Sequence, residues 1–459
     1  MNNYFIEAVT NLEIEPFEIN TQNICSDQID QLEEIFKQYE LHPSILKIKE
    51  KITIDEQFSF GDLAEQDMQN QILQLNSKKA GIANDFPAKM LKGSNDIVSN
   101  YLCNIYNNSK SDEKYPSSLK SGTVTPINKK STQTLLKKDQ RPVSLLPIVS
   151  KLFERKMYDE IFAYVEKFLS PYLFGYRKNH STEQCLIIMI EAWKKALDSR
   201  HAAGAVLTDL SKAFDCLNHK LLIAKLNAYG FHKDALKFIY SYLVDRKQRT
   251  KVNNSYSSWQ EVLYGVPQGS ILGPLLFNIF INDLFYFIDK TKLANYADDN
   301  TAYCTGKTIE MLKTILEKET NIVLKWFRDN EMKSNDDKCH LIIANQDNEY
   351  INVGSEIIES SDSVVLLGIK IDKNLSFTEH VTGLIKKGNQ KLYALARISK
   401  YVSHDKLKIL MKTFVQSQFN YCPLVWMFCS RTLNNKINKL HERALRLVLL
   451  LFTLFYIAY

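Results

Sequence analysis

The eight cysteines form no CxxC pair and lie far apart along 459 residues. Neither a disulfide framework nor a zinc ribbon is therefore indicated. A reduced, intracellular compartment is the expectation, with nucleus and cytoplasm not distinguishable. No basic segment followed by an apolar run opens the chain, so no signal peptide is expected. The strongly apolar stretch 447–459 falls short of the roughly 20 helical residues that cross a bilayer, so no membrane partner is expected. Internal repeats and low-complexity linkers are also lacking. So is a large excess of either charge, the formal net charge being only +6.

What is present is an ordinary globular composition, 45% hydrophobic and 24% charged, in a chain long enough for two or three domains. The small net charge conceals blocks. Residues 110–156 and 386–446 are rich in Lys and Arg, whereas residues 1–75 lean acidic. Two basic blocks around a mixed centre suit a protein that grips a polyanion, although such a run taken alone equally describes a solvated face.

Periodicity places the main elements. Ile29, Leu32, Ile35 and Phe36 are at helical spacing near the start. Pro142 and Pro147 restrict their neighbours to extended backbone, so the surrounding segment reads as strand and loop. Ala205-Val206-Leu207-Thr208 reads as a strand ending at Asp209, and apolar spacing over 217–226 predicts a helix after it. A glycine-rich loop, 265–273, leads to Pro274, well placed in the first turn of a helix because it has no N–H to leave unpaired. Residues 293–303 read as two short strands around Ala297-Asp298-Asp299. An amphipathic helix runs from Ile309 through Phe327, and strands follow at 341–343 and 364–369. Beyond about residue 376 the chain reads as helical and basic.

Two adjacent aspartates at a strand turn are unfavourable unless a cation neutralises them. Asp209, ending another strand, would add a third carboxylate to Asp298 and Asp299 at a sheet rim. Hard oxygen donors of this kind suit Mg²⁺, which takes few protein carboxylates and completes its shell with water and phosphate oxygens. Two such ions about 3.5–4 Å apart support nucleotidyl transfer. An Asp-Asp pair on a hairpin turn is also a common surface feature, and Asp209 could serve as a plain strand end. The case rests on further strings in order.

Tyr296-Ala297-Asp298-Asp299 resembles the YxDD box of reverse transcriptases, and Asp209-Leu210-Ser211-Lys212-Ala213-Phe214-Asp215 resembles the family's first acidic motif. Gly265-Val266-Pro267-Gln268-Gly269-Ser270-Ile271-Leu272-Gly273-Pro274 is similar to the glycine-rich motif as non-LTR retrotransposons write it. Arg141-Pro142-Val143-Ser144-Leu145-Leu146 and Phe174-Gly175-Tyr176-Arg177-Lys178-Asn179-His180-Ser181-Thr182 resemble two fingers motifs. YADD alone is not specific; the glycine-rich string and the ordered set are. The resemblance runs from about residue 79 to about residue 446 and is nearest to jockey-like elements.

That resemblance implies an α/β (α+β) right-hand polymerase with fingers, an antiparallel-sheet palm and a helical thumb. The expected divisions are a helical N-terminal extension (1–78), fingers (79–200), palm (201–375, with a fingers insertion at about 226–258), a basic helical thumb-like region (376–446) and an atypical apolar tail (447–459). Asp209 and Asp298 would be the main ligands of two Mg²⁺ ions, for which Mn²⁺ can substitute, with Asp299 in support. Phe214 would gate against a ribose 2′-hydroxyl by steric clash; the alternative is a core ring at a helix start. Asp215 reads better as an N-cap of the following helix than as a catalytic group. Arg141, with Lys129 or Lys130, would bind the triphosphate. Gln268 and Gly269 would line the nucleotide and template pocket, while Gly273 could serve only the turn. Lys338 would assist pyrophosphate departure, and Leu367-Gly368-Ile369 resembles the primer grip.

The partners so implied are an RNA template, a DNA primer and dNTPs. Non-LTR elements usually carry an endonuclease ahead of the polymerase, and none is read within these residues, so self-sufficient transposition is not expected. Two rival readings stay open: a catalytically inactive retroelement remnant that binds nucleic acid, and an RNA-dependent RNA polymerase. Phe214 and the YADD spelling argue against the second.

Overall fold

The computed structural model describes residues 1–6, 31–78, 82, 85–129, 139–334, 339–354 and 356–456, the backbone alone for 449–456. The N-terminal part is helical: α1 (Asn2–Ile6), α2 (Gln31–Gln38), α3 (Pro43–Lys51), α4 (Glu65–Gln74), α5 (Ala88–Gly93) and α6 (Asn95–Ser111). Then come β1 (Ser121–Asn128), β2 (Gln140–Leu145), α7 (Ile148–Val165), α8 (Thr182–Asp198), β3 (Ala202–Asp209), α9 (His219–Ala228) and α10 (Lys233–Leu243). The centre continues with β4 (Arg246–Val252), β5 (Ser255–Tyr256), β6 (Gln260–Val262), α11 (Gly273–Asn282), β7 (Lys292–Tyr296), β8 (Asp299–Gly306) and α12 (Ile309–Asp329). Four-residue strands follow: β9 (His340–Ile343), β10 (Tyr350–Val353), β11 (Glu356–Glu359), β12 (Ser363–Leu366) and β13 (Ile369–Asp372). The chain ends in α13 (Thr378–Ile398), α14 (His404–Leu410), α15 (Pro423–Trp426) and α16 (Arg431–Tyr456). The mixture of helices with largely antiparallel sheets is the fold class the sequence implies.

Two compact units are interleaved along the chain. The first comprises Met1–Tyr176, Leu210–Asp289 and Ile322–Asn335. Its sheet runs β2–β1–β4–β5 with β6 also on β4, and only the β1–β4 pair is parallel. The helix α11 is strongly apolar, and nearly all of it is buried, including Leu275, Phe277 and Phe280 together with the hydrogen-bonded Asn278 and Asn282. A charge is buried here too. Lys225 donates to Asp283 Oδ1 at 2.6 Å and to the Phe280 carbonyl at 2.7 Å, while Trp326 Nε1 donates to Asp283 Oδ2 at 2.8 Å. Pairing and full hydrogen bonding make a wholly buried lysine tolerable.

The second unit comprises Arg177–Asp209, Lys290–Asn321 and Asp336–Tyr459. Its four-stranded sheet, in the order β7–β8–β3–β9, is antiparallel throughout. Ala203, Ala205, Val206, Leu207, Leu293, Ala302, Leu341 and Ile342 bury its faces. Helix α8 packs on β3, β7 and β8 through an apolar stripe of Cys185, Leu186, Met189 and Trp193. Its start is fixed by a capping box, in which Ser181 Oγ accepts from the Gln184 N–H and the Gln184 side chain accepts from the Ser181 N–H. Near the C-terminus α13 packs on α16, and Gly388 lets Leu440 approach to where a Cβ would stand 3.0 Å away. Among the described residues no helix is long and apolar enough to cross a membrane, and none of the seven described cysteines forms a disulfide.

Candidate active site

In the second unit β3 and β8 pair so that Asp209 stands directly opposite Asp299. Cross-strand partners in an antiparallel ladder have Cα atoms roughly 4.5–5.5 Å apart and point to the same face. Two carboxylates from positions 90 residues apart in sequence are thereby neighbours. Asp298 belongs to the two-residue turn joining Tyr296 to its partner Asp299, and it is exposed, whereas Asp209 and Asp299 are half-buried.

The turn carries a local constraint. Ala297 adopts φ +60, a left-handed conformation that side chains other than glycine adopt at some energetic cost. Two buried asparagines hold it. Asn295 Nδ2 donates to the Ala297 carbonyl at 3.0 Å and to Asn300 Oδ1 at 2.7 Å, and Asn300 Nδ2 donates to the Asp298 carbonyl at 3.1 Å. No periodicity marks these two residues in the sequence, although Asn295 and Asn300 bracket the Tyr-Ala-Asp-Asp string as it stands.

Among the described residues no three His, Cys, Asp or Glu side chains form a preassembled metal cage. The donor set is an acidic pair in register plus an acidic turn residue. All its donors are carboxylate oxygens, the chemistry that fits a hard divalent cation needing only one or two protein carboxylates.

The glycine-rich motif, Arg141, Lys129 and the residues that follow Asp209 in its motif belong to the first unit. Its glycine-rich loop is bonded along its length. Gly265 and Val266 donate to the carbonyls of Leu217 and Phe214 at 2.8 and 2.9 Å, and Ser144 donates to the Gln268 carbonyl at 2.8 Å. Burial pushes His219 down to about 4, so its ring is neutral, and Nε2 donates to the Gly265 carbonyl at 2.7 Å. At Gly265 (φ +77) a Cβ would lie 2.6 Å from the Phe214 carbonyl oxygen, and at Gly269 (φ +136) 2.4 Å from that of Ser144. Both glycines are demanded by the protein's own backbone. Gly273 opens α11, where a Cβ would meet Ser270 Oγ at 2.4 Å.

Glu154 completes the anchorage. Fully buried on α7, it accepts from the Ile271 N–H at 2.6 Å and from Ser150 Oγ at 3.1 Å, and burial raises its pKa. It too went unremarked in the sequence, though Glu154 lies in phase with the buried Ser150, Met157 and Ile161.

Phe214 is half-buried, stacked on Phe277 at 4.8 Å between centroids and edge-on to Tyr176 at 5.6 Å. Asp215 corrects an expectation: it is not the N-cap of α9. That role falls to Asn218, whose Oδ1 accepts from the Leu221 N–H at 3.1 Å. The reason is a tight turn in which Lys212 takes φ +53 and Asp215 and Cys216 both donate to its carbonyl, delaying the helix to His219. Asp215 instead accepts from Gln268 Nε2 with both oxygens, at 3.0 and 3.2 Å. Arg141 on β2 pairs in register with Ile127 on β1, and Lys129 follows that strand; both are exposed. Lys130 and Lys338 lie outside the described residues. Leu367 and Gly368 form the turn between β12 and β13 in the second unit.

Burial raises the Asp215 carboxyl from 3.8 to about 6, against the opposing effects of Gln268, Lys212 and Lys129. A folded-state pKa above the unfolded value means that the fold holds the proton more tightly. The buried charge therefore destabilises at neutral pH, and that penalty fades as pH falls from about 6 to about 4. Asp215→Asn should accordingly gain more stability relative to the native chain at pH 7.5 than at pH 4.5. Urea unfolding at the two pH values measures this, and an equal difference at both would contradict it.

Comparison with known proteins gives the family. Residues 127–371, just over half of the chain, match the family model described as reverse transcriptase (RNA-dependent DNA polymerase). The chain is similar to the probable RNA-directed DNA polymerase from transposon BS of Drosophila melanogaster, with 27% identity over 76% of this chain and 40% of that protein. It is also similar to the RNA-directed DNA polymerase from mobile element jockey of the same organism, with 25% identity over 83% and 43% respectively. The chain thus spans about two fifths of the length of these curated relatives. With its motifs in order and Asp209 paired to the Asp-Asp turn, the chain belongs to the reverse transcriptase family and is jockey-like within it.

Proposed function

We propose that the chain is the polymerase segment of a non-LTR retrotransposon's RNA-directed DNA polymerase. Its reaction is nucleotidyl transfer from a dNTP to a primer 3′-hydroxyl on an RNA template. The observation that carries this reading is the Asp209–Asp299 register beside the Asp298 turn, within a chain of this family.

Asp209 and Asp298, supported by Asp299, would hold two Mg²⁺ ions, with Mn²⁺ able to substitute. Bound there, such ions supply positive charge that favours hydroxyl attack on phosphorus and departure of pyrophosphate. The remaining roles belong to side chains of the motifs. Arg141, with Lys129 or Lys130, binds triphosphate oxygens, guanidinium being suited to paired phosphate contacts. Gln268 orients the nucleotide and template side of the pocket, its amide fixed by Asp215. Gly269 keeps the same loop against β2. Lys338 assists pyrophosphate departure, and Leu367-Gly368-Ile369 grips the primer. Phe214 excludes ribonucleotides; stacking on Phe277 prevents its ring from yielding to a 2′-hydroxyl. The basic blocks hold template and primer mainly through phosphates, so binding weakens steeply with salt.

Asp298→Asn should abolish Mg²⁺-dependent dNTP incorporation on a primed RNA template while leaving the urea unfolding midpoint near native. Activity surviving in that variant would refute the catalytic assignment. A native chain that binds the template but never extends the primer would identify an inactive remnant. Phe214→Val should raise ribonucleotide incorporation relative to dNTP incorporation in the same assay. An unchanged preference would remove the gate.

A further inference from the structure

The β12–β13 turn places Leu367 and Gly368 at φ +47 and +80, between the last ladder pair Leu366 and Ile369. The Leu367 carbonyl is engaged from a distant part of the chain. Tyr421 donates its hydroxyl to that oxygen at 2.6 Å. The same ring lies against Gly368, where an added Cβ would meet Tyr421 Cε1 at 3.5 Å. A phenol thus meets the turn by one hydrogen bond and one ring contact.

Tyr421 is itself tied down. Trp426 Nε1 donates to the Tyr421 carbonyl at 3.0 Å. Leu424 donates its N–H to Glu183 Oε1 at 2.9 Å, and Cys422 Sγ lies 3.6 Å from Thr182 Oγ1. Thr182 and Glu183 are the first turn of α8, the helix packed on β3, β7 and β8. The segment 421–424 therefore joins the turn at one end to the helix that supports the candidate catalytic strands at the other. All of these residues belong to the second unit.

We propose that Tyr421 is a positioning residue for the primer: its hydroxyl and ring set the place of the Leu367–Gly368 turn relative to Asp209 and Asp299. This rests on the polymerase and primer-grip reading above. Tyr421 touches the turn and not the reacting atoms, so its effect is on primer placement and not on the dNTP. Because the side chain is nearly half exposed, its replacement by phenylalanine opens no cavity in the core.

The test compares the native chain with Tyr421→Phe, which keeps the ring, and Tyr421→Ala, which removes it. Primer extension is measured with primer–template and dNTP varied separately, alongside hydrogen exchange over 363–372 and urea unfolding. Tyr421→Phe should raise KM for primer–template roughly three- to tenfold, the range set by one lost hydrogen bond. KM for dNTP and the unfolding midpoint should stay as in the native chain, exchange at 367–369 should quicken, and Tyr421→Ala should exceed Tyr421→Phe in each affected quantity. An equal rise in both KM values, or a Tyr421→Phe variant indistinguishable from the native chain, would overturn the proposal while the polymerase reading stands. A native chain that extends no primer would overturn the reading beneath it as well.

Discussion

The pairing of β3 with β8 is the constraint on which the candidate catalytic centre depends. Side chains alternate along a strand, so a slip of one residue would send Asp209 to the face opposite Asp299. Several features oppose such a slip. β3 is paired on both sides, Val206 standing opposite Ala302 on β8 and Leu341 on β9. The hairpin partner of β8 is fixed by a two-residue turn whose carbonyls are held by Asn295 and Asn300. Gly204, on the other face of β3 from Asp209, lets Leu312 of α12 pack closely, an added Cβ standing 3.3 Å from Leu312 Cδ2. The acidic pair is the outcome of packing and pairing well away from the acids themselves.

The glycine-rich loop follows a different physical logic. Many of its carbonyl and N–H groups are engaged by neighbouring backbone, by His219 and by Glu154. At Gly265 and Gly269 any side chain would collide with main-chain oxygen. Much of what looks like a substrate-binding motif in the sequence is therefore scaffold, and Gln268, braced by Asp215, is the part of it left to present a side chain.

What was legible in the sequence followed periodicity and punctuation. The strand ending at Asp209, the hairpin around Ala297-Asp298, the Pro274 helix start and the amphipathic α12 are where apolar spacing and turn residues put them. Asp215 was misread because a tertiary turn, set by Lys212 and the glycine-rich loop, displaces the helix start by several residues. Glu154 and Tyr421 were missed for a related reason. Each acts on backbone groups 117 and 54 residues away, and no local pattern announces such a bond. The interleaving of the two units was equally hidden, since it arises from pairings such as β3 with β8 and β9 across long stretches of chain.

The central claim is that carboxylates distant in sequence share divalent ions at one sheet edge. Titration with Mn²⁺, followed by electron paramagnetic resonance of the free ion, addresses it without any catalytic assay. Binding that Mg²⁺ displaces, and that weakens sharply in Asp209→Asn and separately in Asp298→Asn, with a smaller loss in Asp299→Asn, is the expected result. Undiminished binding in Asp209→Asn would show that the two strands hold no common ion.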